Sequence, residues 1–327
     1  MKKFLMVMAM IVVASSCGDD DGDDIEIIPP RLLAEVATEN DEEIKEFLET
    51  HFYNYEEFET PPMDFDYKIV IDTIAGDNQD KIPLINQVAS AVVNVSSSQL
   101  NLREEENDIP HTYYYLSARD GEGIQPTIAD STLLRYEGML LNGTRFDATP
   151  SFLWQELPFF LRGYSNGVAK FKSGTPEGLI VNSDGTSSYS NSGIGMIIMP
   201  SGLAYFLSTG PSGTIPSYSN LIFTVEIGNV IENTDRDNDG IPSILEDLNG
   251  NGYVLDDNTD AELEANANFE PIVNFQDIDD DGDGVLTRTE ISDANGTIII
   301  PYPDSDNDGT PDYLDPDIQW DESEDDN

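Results

Sequence analysis

The sequence is poor in the residues that most often carry chemistry. It holds one cysteine, Cys17, and two histidines, His51 and His111. A single cysteine cannot close an intrachain disulfide, so covalent staples have no part in the fold. The histidines lie far apart along the chain, which argues against a histidine-based active site and leaves each as a surface or partly packed side chain. Basic residues are equally scarce: 15 Lys and Arg stand against 64 Asp and Glu, for a net charge of −49 over 327 residues. Such a chain repels phosphate backbones, which excludes nucleic acid as a partner. Long apolar runs are missing too. The candidate at residues 4–13 is about ten residues, against the roughly 20 that a membrane-spanning helix needs.

What is present is unevenly spread. Residues 1–110 carry 25 acidic and 7 basic side chains, residues 111–232 carry 10 and 6, and residues 233–327 carry 29 and 2. A near-neutral block therefore sits between two acidic arms of net charge −18 and −27. At the start, Lys2 and Lys3, the short apolar run and the small residues Ala14, Ser15 and Ser16 form a secretory signal peptide over residues 1–16. Cys17 follows directly and resembles the cysteine of a bacterial lipobox, with Ala14 where a larger aliphatic residue is usual. The resemblance implies cleavage before Cys17, acylation of that residue, and membrane attachment through lipid instead of a helix. Residues 17–31, with aspartates at 19, 20, 21, 23 and 24, read as a solvated tether. The run is similar to the acidic export signal of Bacteroidetes-type lipoproteins, which implies the outer membrane, at the cell surface or else on the periplasmic face.

Residues 32–110 form an N-terminal extension. Ile44, Phe47, Leu48 and His51 share one face of a helix expected over 39–51, with Asn40 or Asp41 as its cap. Residues 65–72 alternate as a strand, and 82–95 are apolar enough for one more element. The extension could pack on the middle block, space it from the membrane or mediate self-association. In the middle block, residues 112–118 and 131–136 suit strands, and the latter continues into a hairpin through the Asn142-Gly143 turn. Strands follow at 194–199 and 221–227, and Leu161, Tyr164, Val168 and Phe171 sit at helical spacing. Residues 174–193, rich in Ser, Gly and Asn, read as a loop outside the sheet. This is an α+β layout. On spacing alone, Tyr136, Phe146 and Tyr164 are core aromatics.

The order of motifs says more. Tyr136/Gly138/Leu140, Gly143/Phe146/Asp147, Arg162/Gly163/Tyr164/Gly167/Val168 and the strand Leu221-Ile-Phe-Thr-Val-Glu226 follow one another over about a hundred residues. This order resembles the FKBP family of peptidyl-prolyl cis-trans isomerases, over residues 111–232. The resemblance implies a curved antiparallel sheet wrapped on one short helix. It implies a proline pocket of Tyr136, Phe146, Asp147, Phe160, Leu161, Tyr164, Tyr205, Ile215 and Phe223. In those roles Tyr164 is the floor, where Trp is commoner, and Phe146 and Phe223 are walls. Phe160 and Leu161 line the side. The Leu161 amide and the Tyr205 hydroxyl bond the substrate carbonyls, and Asp147 orients the twisted amide. Phe206 follows Tyr205 where the family prefers Gly. No cofactor is needed for isomerisation.

Residues 233–327 repeat an acidic loop. Asp235, Asp237, Asp239, Gly240 and Glu246 fall at positions 1, 3, 5, 6 and 12, as do Asp279, Asp281, Asp283, Gly284 and Glu290. Both resemble EF-hand calcium loops, in which spaced oxygens surround a Gly-enabled turn. Asp304, Asp306, Asp308, Asp312 and Asp315 form a near relative that resembles a thrombospondin type 3 repeat, and residues 247–252 are a weaker fourth. Pro242 and Pro311 leave little room for flanking helices, and 256–267 is the plausible one. The expectation is a structural Ca²⁺-binding stalk or cap, expanded by self-repulsion without the metal. The whole reads as a lipid-anchored isomerase acting on proline-containing exported polypeptides during folding at the outer membrane. The alternative is a non-catalytic calcium-dependent interaction or adhesion protein on an FKBP scaffold.

Overall fold

Central to the fold is a six-stranded antiparallel sheet in the order β3-β4-β9-β10-β5-β6. Its strands are β3 (Ala89–Val95), β4 (Ile109–Arg119), β5 (Ser131–Leu140), β6 (Arg145–Glu156), β9 (Gly193–Met199) and β10 (Leu221–Ile231). A computed structural model describes residues 29–211 and 213–318. Cys17, the signal peptide and most of the tether lie outside the described residues. From Arg31 onward the chain packs as one compact unit. Among the described residues no helix is long and apolar enough to cross a membrane.

Alternation along the strands sends side chains to two cores. On one face Leu221, Phe223, Val225 and Ile227 of β10 join Ile197 and Met199 of β9 under the short helix α3 (Arg162–Val168). On the other, Ile222, Met196, Ile198, Tyr114 and Leu116 meet Ile44, Phe47 and Leu48 of α1 (Leu33–Thr50). Every residue of β9 is buried, which its nearly continuous apolar sequence requires of a strand covered on both faces. The N-terminal extension thus packs on the sheet. It also supplies the edge strand β3 of that sheet, and its other pieces include the pair β1 (His51–Tyr53) and β2 (Ile71–Thr73) and the single turn α2 (Tyr55–Glu59).

α1 begins well before the expected start. Its first amides, Leu33 and Ala34, donate to the carboxylate of Glu106 at 2.5 and 3.0 Å, a cap borrowed from far along the chain. Asn40 is therefore not a cap but a buried mid-helix residue. The alternation at 65–72 yields a strand only at 71–73, because Lys68 and Val70 bond the Asn54 side chain in place of a neighbouring strand. The Ser-rich insertion lies outside the main sheet and forms its own hairpin, β7 (Leu179–Val181) and β8 (Ser187–Tyr189). His111 is buried, with Nδ1 at 2.9 Å from the Ile109 carbonyl. The acidic segment has two short helices, α4 (Ala261–Ala267) and α5 (Thr287–Glu290), and otherwise turns and 3₁₀ pieces. α5 is too short to have left a periodic signal.

Candidate functional site

Asn142-Gly143 makes the tight turn that brings β6 back along β5: Gly143 has φ +81° and the Asn142 side chain accepts from Thr144 N–H at 2.9 Å. That turn places Phe146 and Asp147 beside Tyr136. The Tyr136 hydroxyl donates to Asp147 Oδ2 at 2.6 Å. Burial, and then this bond, push the Tyr136 phenol well above its ordinary range. Across the sheet Gly138 pairs with Phe223, and a Cβ at Gly138 would lie 2.7 Å from the Phe146 ring and 2.9 Å from that of Phe223. The bare backbone therefore makes room for two aromatic rings.

The rings close on Tyr164, the third residue of α3. Ring centres lie 5.0 Å from Phe223, 5.8 Å from Phe160 and 5.9 Å from Tyr136, while Phe146 meets Phe223 at 5.6 Å. Tyr164 is 2% exposed and its hydroxyl donates to Gln155 Oε1 at 2.9 Å. Leu161 stands at the N-cap of α3. Tyr205 is half-buried near Asp147, and burial, then that carboxylate, hold its proton more tightly. Ile215 is buried close by, both residues bordering Gly210. All nine pocket residues named from the sequence thus fall in one neighbourhood, around a ring cluster. A cavity of about 760 Å³ borders this cluster at Tyr136, Phe146 and Asp147, another of about 880 Å³ touches none of the nine, and neither is lined by Tyr164 or Tyr205.

Supports that no motif announces hold this arrangement. Gln155 satisfies the floor. Asn40 of α1 accepts from Ser201 N–H and Oγ at 2.8 and 2.6 Å and donates to the Tyr218 carbonyl at 3.1 Å, pinning both ends of the loop that carries Tyr205 and Ile215. Phe206 adopts φ +49°, the left-handed region that favours glycine, and is held there by packing against the Tyr218 ring at 5.0 Å.

The acidic loops share one geometry. Gly240, Gly284 and Gly309 have φ +107°, +96° and +103°, and their amides donate to Asp235, Asp279 and Asp304 at 3.1, 3.2 and 3.2 Å. Carboxylate oxygens of Asp235/Asp237/Asp239, of Asp279/Asp281/Asp283 and of Asp304/Asp306/Asp308 each gather within 4.8 Å. Glu246 and Glu290 are 1% and 0% exposed, yet neither carboxylate oxygen of either has a hydrogen-bond partner. Burial, then neighbouring aspartates, push Glu246 up to about 10 and Glu290 up to about 9. Unpaired buried carboxylates are costly, and oxygen-rich turns of this kind fit a divalent cation, Ca²⁺ by ligand type and number. In the third loop Asp312 instead accepts from Ser305 N–H and Oγ at 2.7 and 2.6 Å, and Asp315 is only partly buried.

Asp280 was not foreseen. It occupies the second position of its loop, which sequence spacing treats as a spacer. Its carboxylate, 1% exposed and unpartnered, lies within 4.8 Å of those of Asp239 and Glu246. The first loop is thus completed by the second, and Ile241, Ile291 and Tyr313 join all three loops in a small apolar core.

Comparisons with known proteins complete the description. A family model described as BamM C-terminal matches residues 236–303. No curated protein matches the chain. Similar solved structures include a peptidyl-prolyl cis-trans isomerase from Pseudomonas syringae pv. tomato, 20% identical, over 37% of this chain and 76% of that one, with a TM-score of 0.29. FkpA from Escherichia coli is 25% identical over 37% of this chain and 48% of its own, so less than half its length is spanned, again at a TM-score of 0.29. The N-terminal domain of FKBP42 from Arabidopsis thaliana is 19% identical over 37% and 87%, with the same TM-score.

Proposed function

We propose that the chain is a prolyl cis-trans isomerase of FKBP type, carried on a lipoprotein at the outer membrane and completed by a calcium-binding tail. The observation that carries the reading is the convergence of Tyr136, Phe146, Asp147, Tyr205 and Phe223 around Tyr164. Prolyl isomerisation needs no acid, base or nucleophile. Its barrier, about 18–20 kcal/mol, is the amide resonance lost on rotation. An apolar aromatic surface favours the twisted, less polar amide, and a donor placed on a carbonyl holds that geometry. Here the rings supply the surface, the Tyr205 hydroxyl and Leu161 amide the donors, and Asp147 the polar edge facing the rotating bond. Calcium enters as a structural ion. Residues 235–246, 279–290 and 304–315 hold it, with Asp280 added to the first site, and it neutralises carboxylates that have no other partner.

Localisation rests on Cys17 and the aspartates after it. The match of 236–303 to the BamM C-terminal family hints at the same outer-membrane setting. Exported, proline-containing polypeptides are the substrates this placement offers. A Cys17→Ala variant released from the membrane fraction supports the anchor, and a variant retained there removes it.

One observation favours a second reading. Tyr164 is 2% exposed beneath its neighbours and lines neither of the two cavities described above, as in a scaffold that only presents the tail. A proline-peptide isomerisation assay on the full mature chain separates the two. The enzyme reading expects a rate above background. Tyr205→Phe should lower that rate about 2–13-fold, the worth of one hydrogen bond of about 0.5–1.5 kcal/mol. Indistinguishable wild-type and variant rates at background level leave only the scaffold.

A further inference from the structure

We infer that residues 247–258 form a fourth divalent-cation site, and that this site clamps the tail onto α3, so that calcium occupancy is communicated to the helix under the aromatic cluster. The inference rests on the calcium reading above and extends it to the weaker fourth loop, which has fewer carboxylates than the other three.

The loop repeats the geometry of the other three. The Gly252 amide donates to Asp247 Oδ2 at 2.9 Å and the Asn251 amide to Asn249 Oδ1 at 2.9 Å, so Asp247, Asn249 and Asn251 take positions 1, 3 and 5 around the turn. Independent of that geometry, Asp257 is 6% exposed with Oδ2 unpartnered, while its other oxygen accepts from Asn249 Nδ2 at 2.8 Å. Asp247 Oδ1 and Asn258 Oδ1 are likewise buried without partners. Asp247 and Asp257 thus each hold one oxygen on this turn and leave the other buried and unsatisfied, the arrangement that a hard cation completes. Asn251 Nδ2 donates to Asp256 at 3.1 Å, and an amide turned over would present its oxygen to the ion instead. With fewer charged ligands, this site should bind more weakly than the loops ending in Glu246 and Glu290.

The same loop is fastened to α3. Arg162, its first residue, donates to the Asn251 carbonyl at 2.9 Å, lies over the Tyr253 ring at 4.8 Å and donates to Gln99 at 2.9 Å. Gln99 in turn donates to Asp256 at 2.5 Å. Asn166, one turn later, donates to the Gly252 carbonyl at 3.4 Å. Ordering residues 250–256 around an ion therefore fixes Arg162 and Asn166, which flank Tyr164 on the same helix.

Calcium alone is the probe, and the full mature chain is the sample. Bound calcium per chain is measured after equilibrium dialysis, and hydrogen exchange is followed over residues 162–168. Asp257→Asn should bind one ion fewer than wild type and lose the calcium-induced slowing of exchange in α3. Asp304→Asn should also lose an ion yet keep that slowing. An Asp257→Asn chain that binds as many ions as wild type, or whose α3 slows as much, overturns the inference. A wild-type chain that binds no calcium overturns the parent reading with it, which tells the two failures apart. Should Asp257→Asn fail to fold by circular dichroism, Asp247→Asn carries the same comparison.

Discussion

Gln155 and Glu246 are both nearly inaccessible, at 5% and 1% exposure, but they are settled in opposite ways. Gln155 lies under the aromatic cluster and has the Tyr164 hydroxyl as its partner. Glu246 lies in the acidic tail and has nothing for either oxygen. The sheet region pairs most of its charged and amide groups from within, among them Asn40 with Ser201, Arg135 with Glu226 at 2.7 Å and Ser192 with Glu226 at 2.6 Å. The tail gathers charges of one sign and leaves their oxygens open. One region therefore closes its polar network within its own sequence, and the other, on the calcium reading proposed above, holds half of an interaction that a cation completes.

Removing the cation should break this contrast most visibly. A site holding an ion at 100 times its Kd gains about 2.7 kcal/mol, so several sites outweigh the stability of a small segment. Chelation of the full chain should open residues 233–318 to protease and to hydrogen exchange while strands β4, β9 and β10 stay protected. Equal protection of both regions with and without calcium would count against the division. The converse cut is Tyr164→Ala. Losing a fully buried aromatic ring costs about 3–5 kcal/mol, and the loss in melting experiments should be the same with calcium and with chelator.

Glu290→Gln sharpens the contrast by reversing sign. Without calcium it removes a charge that burial and its neighbours Asp281, Asp283 and Asp279 disfavour, so the metal-free chain should gain stability. With calcium it deletes a charged ligand, and affinity should fall by about tenfold, which is about 1.4 kcal/mol. Calorimetric titration checks the affinity, and thermal unfolding with chelator checks the gain. A variant less stable in both conditions would make Glu290 an ordinary structural residue.

The smallest effect belongs to His111, which burial holds below its ordinary pKa. Above about pH 6.5 it is neutral in folded and unfolded chains alike, so it adds no slope. Below that pH the unfolded chain takes up a proton that the folded one refuses, and stability falls until the folded pKa is reached. His111→Gln should flatten that part of the curve, read as a smaller drop in melting temperature between pH 7 and 5 than in wild type.

Legibility followed distance along the chain. The Asn142-Gly143 turn, the one-in-two alternation of β10 and the 12-residue acidic loops are all decided by neighbours, and the sequence displays them openly. The start of α1 was invisible because its capping carboxylate, Glu106, sits on a different segment. Asn40 read as a cap, although its real partners, Ser201 and Tyr218, lie in the second half of the chain. Asp280 read as a spacer because spacing rules describe one loop at a time, and its partners belong to another. Within the candidate pocket the ring residues stood in order, whereas Gln155 beneath them belongs to no motif. Cys17, the residue proposed for the lipid anchor, and most of the proposed tether lie outside the described residues.

The cap on α1 carries a further consequence, for the order of folding instead of stability. A chain synthesised N-terminus first presents α1 early, yet α1 cannot be capped before Glu106 arrives. Nor can it dock before β9 and β10, its apolar bed, have followed. Its first helix is thus among the last pieces to settle, since contacts this far apart in sequence form late. A polypeptide built this way commits its first helix only once its far half is present.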